Sequence, residues 1–139
     1  MSDLKRKIGV DIGKARIGIA VSDPMGILAS PYTTLTGKGL EQDVMQIVSL
    51  IIENDADTVV LGLPLAMDGT DSDMTLYARD FAEKLKVQTS AKIVLWDERL
   101  SSYEAEEILK QQKVKDWRER KKILDQLSAS IILQSYLDK

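Results

Sequence analysis

Apolar and polar side chains alternate over the first third of the chain and then shift to a helical period. Residues 7–12, KIGVDI, read as a strand, and residues 16–22, RIGIAVS, alternate again. The tight turn Gly13-Lys14-Ala15 between them predicts a hairpin. Asp23-Pro24-Met25-Gly26 has the composition of a turn. Residues 27–35 then read as a third strand, in which Pro31 signals an edge or a bulge. Beyond Gly39, Leu40, Val44, Ile47, Val48 and Ile51 fall at helical spacing and predict an amphipathic helix over 40–54. Residues 58–62, TVVLG, form a short apolar run between helical segments, the pattern of a buried parallel strand. A loop rich in Pro, Gly and Asp over 63–72 leads to a second helix marked by Met74, Ala78, Phe81, Ala82 and Leu85. Residues 92–96, KIVLW, predict another buried strand, with Asp97-Glu98-Arg99 at its carboxyl end. Ser101 or Ser102 can cap a third helix, and Ser101 with Glu104 fits a capping box. A final helix is expected from about Arg118 to Leu137, with Leu124, Leu127, Ser128 and Ile131 on its inner face.

The order β-β-β-α-β-α-β-α-α predicts an α/β fold: a mixed five-stranded sheet with helices on both faces. The 139 residues fit a single domain spanning 1–139, without repeats, low-complexity segments or linkers. With 44% hydrophobic and 29% charged residues the composition is that of an ordinary globular protein. No apolar run approaches the ~18 residues that span a membrane. The start, MSDLKRKIGVDIG, lacks the features of a signal peptide, so the expected location is the cytoplasm.

The chain contains no histidine and no cysteine. This excludes Ser-His-Asp and Cys-His nucleophiles, imidazole general bases, thiolate zinc sites and disulfides. Carboxylates, Lys, Arg, Tyr, Ser and Thr remain for catalysis, and a bound metal would be a hard, oxygen-liganded cation such as Mg²⁺ or Mn²⁺. The net charge of −3 argues mildly against nucleic acid, but its distribution is uneven. Residues 110–122 carry seven bases (Lys110, Lys113, Lys115, Arg118, Arg120, Lys121 and Lys122) against two acids. The N-terminal arm adds Lys5, Arg6 and Lys7, whereas residues 40–90 hold ten acids and three bases.

Three acids from distant segments stand out. Asp11 interrupts an apolar strand, and an ionised carboxylate buried there costs several kcal/mol unless paired or metal-bound. Alternatively it is a strand-end Asp that satisfies the turn at Gly13. Glycines 9 and 13 flank it and leave room for a ligand. Asp97 and Glu98 end a buried strand, where ligands of open α/β sheets bind. Adjacent strand residues face opposite sides, so one of the two points into a site and the other away, unless Arg99 simply pairs with one locally. Asp125 lies on the final helix and, taken alone, reads as a solvated acid. Together, the first strand, the end of a later parallel strand and the last helix can converge at one end of a mixed sheet. Three carboxylates there suggest a divalent-metal site for phosphodiester hydrolysis.

Four blocks in order carry a specific resemblance. They are Gly9-Val10-Asp11-Ile12-Gly13 with Arg16-Ile17-Gly18-Ile19-Ala20-Val21-Ser22-Asp23; Val60-Leu61-Gly62-Leu63-Pro64 with Asp68-Gly69-Thr70; Asp97-Glu98-Arg99-Leu100-Ser101-Ser102 with Ala105; and Asp125 with Ile132-Leu133-Gln134 and Tyr136-Leu137. Over nearly the whole chain the sequence resembles the YqgF/RuvX family. That family is RNase H-like and is described as Holliday junction resolvases and as nucleases that process the precursor of small-subunit ribosomal RNA. The resemblance implies an RNase H-like fold. It implies Asp11, Glu98 and Asp125 as catalytic and metal-holding acids, with Asp97 as the rival of Glu98. Departures from the family pattern occur at Ala15, where a basic residue is usual, at Ser101 and Ser102, where Thr is common, and at Ser128, where a small apolar residue is common.

The expected function is a metal-dependent nuclease acting on structured nucleic acid, either the 5′ end of pre-16S rRNA or branched DNA. Arg16, Arg99, Lys113, Lys115, Trp117, Arg118, Lys121 and Lys122 are candidate nucleic-acid contacts, the bases tracking phosphates and the Trp stacking on a base. The 63–72 loop could cradle a phosphate with its backbone N–H groups or be a plain turn. The acidic helices are expected to face water. A resolvase cutting two strands symmetrically would act as a homodimer, while an RNA processor need not. Two other classes compete. One is a non-catalytic nucleic-acid-binding module on the same fold. The other is a nucleotide-binding relative of the actin-like ATPases, for which this chain is short of the usual two domains.

Overall fold

The computed structural model describes residues 4–66, 68–98 and 117–139. Along the chain these form β1 (Arg6–Asp11), β2 (Arg16–Ser22), β3 (Ala29–Thr36), α1 (Leu40–Glu53), β4 (Ala56–Leu63), α2 (Asp73–Gln88), β5 (Lys92–Asp97) and α3 (Trp117–Leu137). The helix expected from Ser101, with its capping box, lies outside the described residues. The strands make one mixed sheet in the order β3-β2-β1-β4-β5. β1, β2 and β3 pair as an antiparallel meander, while β4 and β5 run parallel to β1. β3 is an edge strand with a register shift opposite it between Ile19 and Ala20, so Pro31 marks both an edge and an irregularity. The parallel arrangement brings the carboxyl ends of β1, β4 and β5 to one edge of the sheet.

Strand alternation divides the sheet into two faces. Ile8 and Val10 of β1, Ile17 and Ile19 of β2, and Val59, Leu61 and Leu63 of β4 pack on α1 and α2 through Val44, Ile47, Leu50, Phe81 and Leu85. Each large side chain removed from water here contributes about 1.5–3 kcal/mol. On the opposite face Ala20 and Val60 meet Ala129, Ile132, Leu133 and Tyr136 of α3. Gly9 and Gly18 on this face let α3 approach the sheet closely. Helices therefore cover both faces, as the pattern predicts.

Two features differ from the sequence reading. The buried stripe of α3 runs through Ser128, Ala129, Ile132, Leu133 and Tyr136, whereas Leu124, Leu127 and Ile131 are only partly buried. Ser128 lies on the expected face, and the helix is otherwise rotated by about one position, seating Ala129, Ile132, Leu133 and Tyr136 against the sheet. Asp125 lies three residues before Ser128 and so extends this stripe. Second, not every acid of α1 faces water: Asp43 is fully buried. Its Oδ1 accepts hydrogen bonds from the Lys38 backbone N–H at 2.8 Å and from the Gln46 amide at 3.0 Å. It thereby pins the chain at Gly39, whose φ of 103° belongs to the left-handed region. α2 opens with a capping box between Ser72 and Thr75 that the sequence reading did not single out, since Thr stands where Glu or Gln is usual.

Candidate active site

Asp11 is the last residue of β1, and the register sets it opposite Gly18 of β2. It shares the α3 side of the sheet with Gly9, two residues earlier. Gly9 does not leave space for a ligand: a Cβ there would lie 2.7 Å from both the Ala129 carbonyl and the Leu133 side chain, so its missing side chain admits the helix. A Cβ on Gly13 would likewise meet the Arg16 carbonyl. At Gly18 the approach is tighter still, and a Cβ would collide with the backbone carbonyl of Asp125. The glycine opposite Asp11 is therefore what allows α3 to bring Asp125 to the site.

Glu98 arrives from the end of β5. Trp96 pairs with Gly62 and Asp97 with Leu63, and the Glu98 N–H donates to the Leu63 carbonyl at 3.3 Å. Two residues beyond Trp96, Glu98 regains the α3 side, and its carboxylate lies where Gly62 would carry a Cβ. Asp97 is exposed. Of the two rivals, Glu98 is the one brought to Asp11. Their carboxyls share a hydrogen bond that favours the charge on Asp11 and disfavours it on Glu98, while burial disfavours ionisation of both. Asp11 is pushed up to about 7, first by burial and then by the charge of Asp125. Glu98 is pushed up to about 8, again first by burial and then by Asp11.

Asp125 stands apart from this pair in one respect. Its Oδ2 accepts a charge-assisted hydrogen bond from Arg16 Nε at 2.7 Å. Asp11, Lys14, Arg16 and Asp125, with the turn backbone from Ile12 to Ala15, line an open pocket of about 300 Å³. Lys14 was not among the residues expected from sequence. It extends over the Tyr77 ring of α2, with Nζ 5.2 Å from the centroid. Its place in the short β1–β2 turn, beside Asp11, was the signal that could have found it.

The other candidates separate. Arg118, Lys121 and Lys122 lie in the first turns of α3, ahead of Asp125. The Lys122 carbonyl accepts from the Thr34 hydroxyl at 2.9 Å, tying this end of the helix to β3. Arg99, Lys113, Lys115 and the Trp117 side chain lie outside the described residues. In the 63–72 loop, Leu65, Ala66, Gly69 and Thr70 donate their N–H groups to Leu63, Thr70, Ala66 and Asp68 respectively. Those four donors are already used within the loop.

A hard divalent cation takes oxygen donors. Asp11 and Glu98 offer adjacent carboxylate oxygens, and their raised affinity for protons marks a place where positive charge is wanted. That much fits. Among the described residues no group of three acids is spaced to hold one ion, and Asp125 is paired with Arg16.

A mixed sheet of this order, with acids from its first strand, its last strand and the C-terminal helix gathered on one face, defines an RNase H-like α/β protein. The structure is similar to RuvC of T. thermophilus in complex with Holliday junction substrate (TM-score 0.57, 11% identity, 96% of this chain and 93% of that one). It is also similar to the Fowlpox virus resolvase in complex with Holliday junction DNA (TM-score 0.58, 15% identity, 96% and 97%). At these identities the likeness is one of fold. The family follows from sequence: the RuvX profile, described as Holliday junction resolvase, matches residues 5–139, and the chain belongs to that family. Two relatives carry the name "Putative pre-16S rRNA nuclease". One, from Fusobacterium nucleatum subsp. nucleatum, is 42% identical over 136 residues, covering 97% of this chain and 98% of its own. The other, from Syntrophomonas wolfei subsp. wolfei, is 42% identical over 133 residues, covering 96% and 94%. Among the described residues no helix is long and apolar enough to cross a membrane.

Proposed function

We propose that this chain is a nuclease that hydrolyses phosphodiester bonds in structured nucleic acid, with Asp11, Glu98 and Asp125 as its catalytic acids. The observation that carries the reading is the meeting of the Asp11 and Glu98 carboxyls beside Asp125, on one face of the sheet, in a chain without histidine. Asp11 and Glu98, joined by Asp125, would hold Mg²⁺ or Mn²⁺. A divalent cation bound there supplies charge neutralisation at the scissile phosphate and acidification of the attacking water. The protein groups do the rest. Without a cation, burial raises Asp11 to about 7 and Glu98 to about 8, so a cation held there would favour their deprotonated forms. Lys14 and Arg16 border the same pocket and offer positive charge to the phosphate backbone. Arg118, Lys121 and Lys122 extend that charge along α3, and Arg99, Lys113, Lys115 and Trp117 complete the proposed contact surface.

The substrates we infer are the precursor of 16S rRNA and four-way DNA junctions, the two named among relatives and fold neighbours. On a junction, two copies would act as a homodimer, one per strand; on RNA one copy suffices. The inferred compartment is the cytoplasm. The test is cleavage of a four-way junction and of a ribosomal precursor, in parallel, with Mg²⁺ and with Mn²⁺. Asp11→Asn and Glu98→Gln should each lower the rate by at least about a hundredfold. Cleavage by Asp11→Asn at the wild-type rate would reject the site. Tight binding without cleavage by the wild-type protein would favour a binding module instead.

A further inference from the structure

Asp125 occupies an unusual position for a site acid. Its backbone is fixed, because its carbonyl fills the space above Gly18 and the helix behind it is seated through Ala129, Ile132 and Leu133. No shift of α3 can carry it toward Asp11 without unpacking that face. Only its side-chain torsions are free, and two influences compete for the carboxylate. Asp11 repels it, and the Arg16 guanidinium holds it at 2.7 Å.

Arg16 is itself placed to let go. It is the first residue of β2, its side chain is 39% exposed against 17% for Asp125, and it stands on the wall of the 300 Å³ pocket. The bond runs through Nε, a single-point contact rather than the two-pronged grip of the terminal nitrogens. A guanidinium cannot lose its proton, so only a competing cation or a competing anion can end the pairing. The described acids form no three-membered ligand group, and Asp125, which borders the same pocket as Asp11, is paired with Arg16.

We propose that Arg16 is an internal counter-ion that holds Asp125 apart from the Asp11–Glu98 pair, and that a divalent cation entering the pocket must displace it to gain its third carboxylate. Arg16 is then a positioning residue that sets the affinity of the site for metal, acting through Asp125. This rests on the metal-binding reading above, and the two can fail separately.

The experiment measures Mn²⁺ binding alone, without substrate, by the paramagnetic resonance of the free ion and by calorimetry. It uses the full chain as wild type, Arg16→Gln, Asp125→Asn, the double variant and Asp11→Asn. Arg16→Gln should bind Mn²⁺ about tenfold more tightly than wild type, since a charge-assisted hydrogen bond no longer has to be broken. In the Asp125→Asn background the same substitution should change affinity by no more than about twofold, the residue of simple charge repulsion. An unchanged or weakened affinity in Arg16→Gln overturns the proposal. So does an equal gain with and without Asp125, which would make Arg16 a general field charge. Wild-type affinity in Asp11→Asn overturns the metal reading itself. A second measurement needs no variant at Arg16. In the wild-type protein the Arg16 Nε–H resonance, shielded from exchange by the ion pair, should lose its protection as Mg²⁺ is added. Protection that persists at saturating Mg²⁺ overturns the proposal.

Discussion

Asp11 and Glu98 have ordinary values of 3.8 and 4.5, yet in the fold they are raised to about 7 and about 8. The native state therefore keeps protons that the unfolded chain has released. A raised carboxyl pKa costs stability above the unfolded value, so without divalent cations the protein should lose stability as pH rises from about 4 to about 8. Asp11→Asn removes one of the two competing charges. It should raise stability at pH 8 by on the order of 2 kcal/mol and have little effect at pH 4, where wild-type Asp11 is largely protonated. Thermal denaturation of both proteins in chelator across this range checks it; a variant less stable than wild type at pH 8 would show that the buried charge on Asp11 does not cost stability. The same reasoning applies to ligand. Because a cation and protons compete for the pair, Mg²⁺ should raise the wild-type melting temperature more at pH 8 than at pH 5.5.

At the scale of elements, the site depends on how closely α3 lies on the sheet. Gly18 and Gly62 both face α3, but what each accommodates differs. A Cβ on Gly18 meets the Asp125 backbone, which cannot yield. A Cβ on Gly62 meets the flexible end of Glu98 and the tip of Ile132, which can. Gly18→Ala should therefore cost about 1–3 kcal/mol of stability. Gly62→Ala should fold nearly as well, but displace Glu98 and lower cleavage by on the order of a hundredfold. Denaturant melts alongside single-turnover rates separate the two; equal stability losses would mean that both glycines serve packing alone. This closeness is also what the sequence concealed. Alternation in β1, β2 and the hairpin turn between them was legible, because a half-buried strand writes its face into every second residue. The face of α3 was legible only at Ser128, because Leu124, Leu127 and Ile131 present an apolar stripe beside the one the helix buries through Ala129, Ile132, Leu133 and Tyr136. Apolarity is visible in a sequence, whereas distance of approach is not. The choice between Asp97 and Glu98 needed the pairing of Trp96 with Gly62, a register that one strand cannot supply. Asp43 was hidden for a related reason, since one of its partners is the backbone N–H of Lys38, which no side-chain pattern reveals.

Over the whole molecule the sheet separates two charge regimes. The segments that build α1, β4 and α2 hold ten acids and three bases, and both helices cover the face away from α3. The candidate acids lie on the other face, between the Lys14–Arg16 turn and the Arg118, Lys121 and Lys122 end of α3. A polyanion is thus repelled by one side of the protein and met by bases on the other, so orientation is set before any chemistry. Bases that contact phosphates release counterions, and the logarithm of the binding constant falls with the logarithm of salt by about 0.9 per phosphate neutralised on duplex DNA. In the cleavage-deficient Asp11→Asn background, replacing Lys121 and Lys122 together by Ala should make that slope shallower by about 2. Replacing Lys84 and Lys86, which lie on α2, removes the same formal charge and should leave the slope unchanged. Equal effects from both pairs would mean that binding follows net charge alone and that the α3 side of the sheet has no special claim on the substrate.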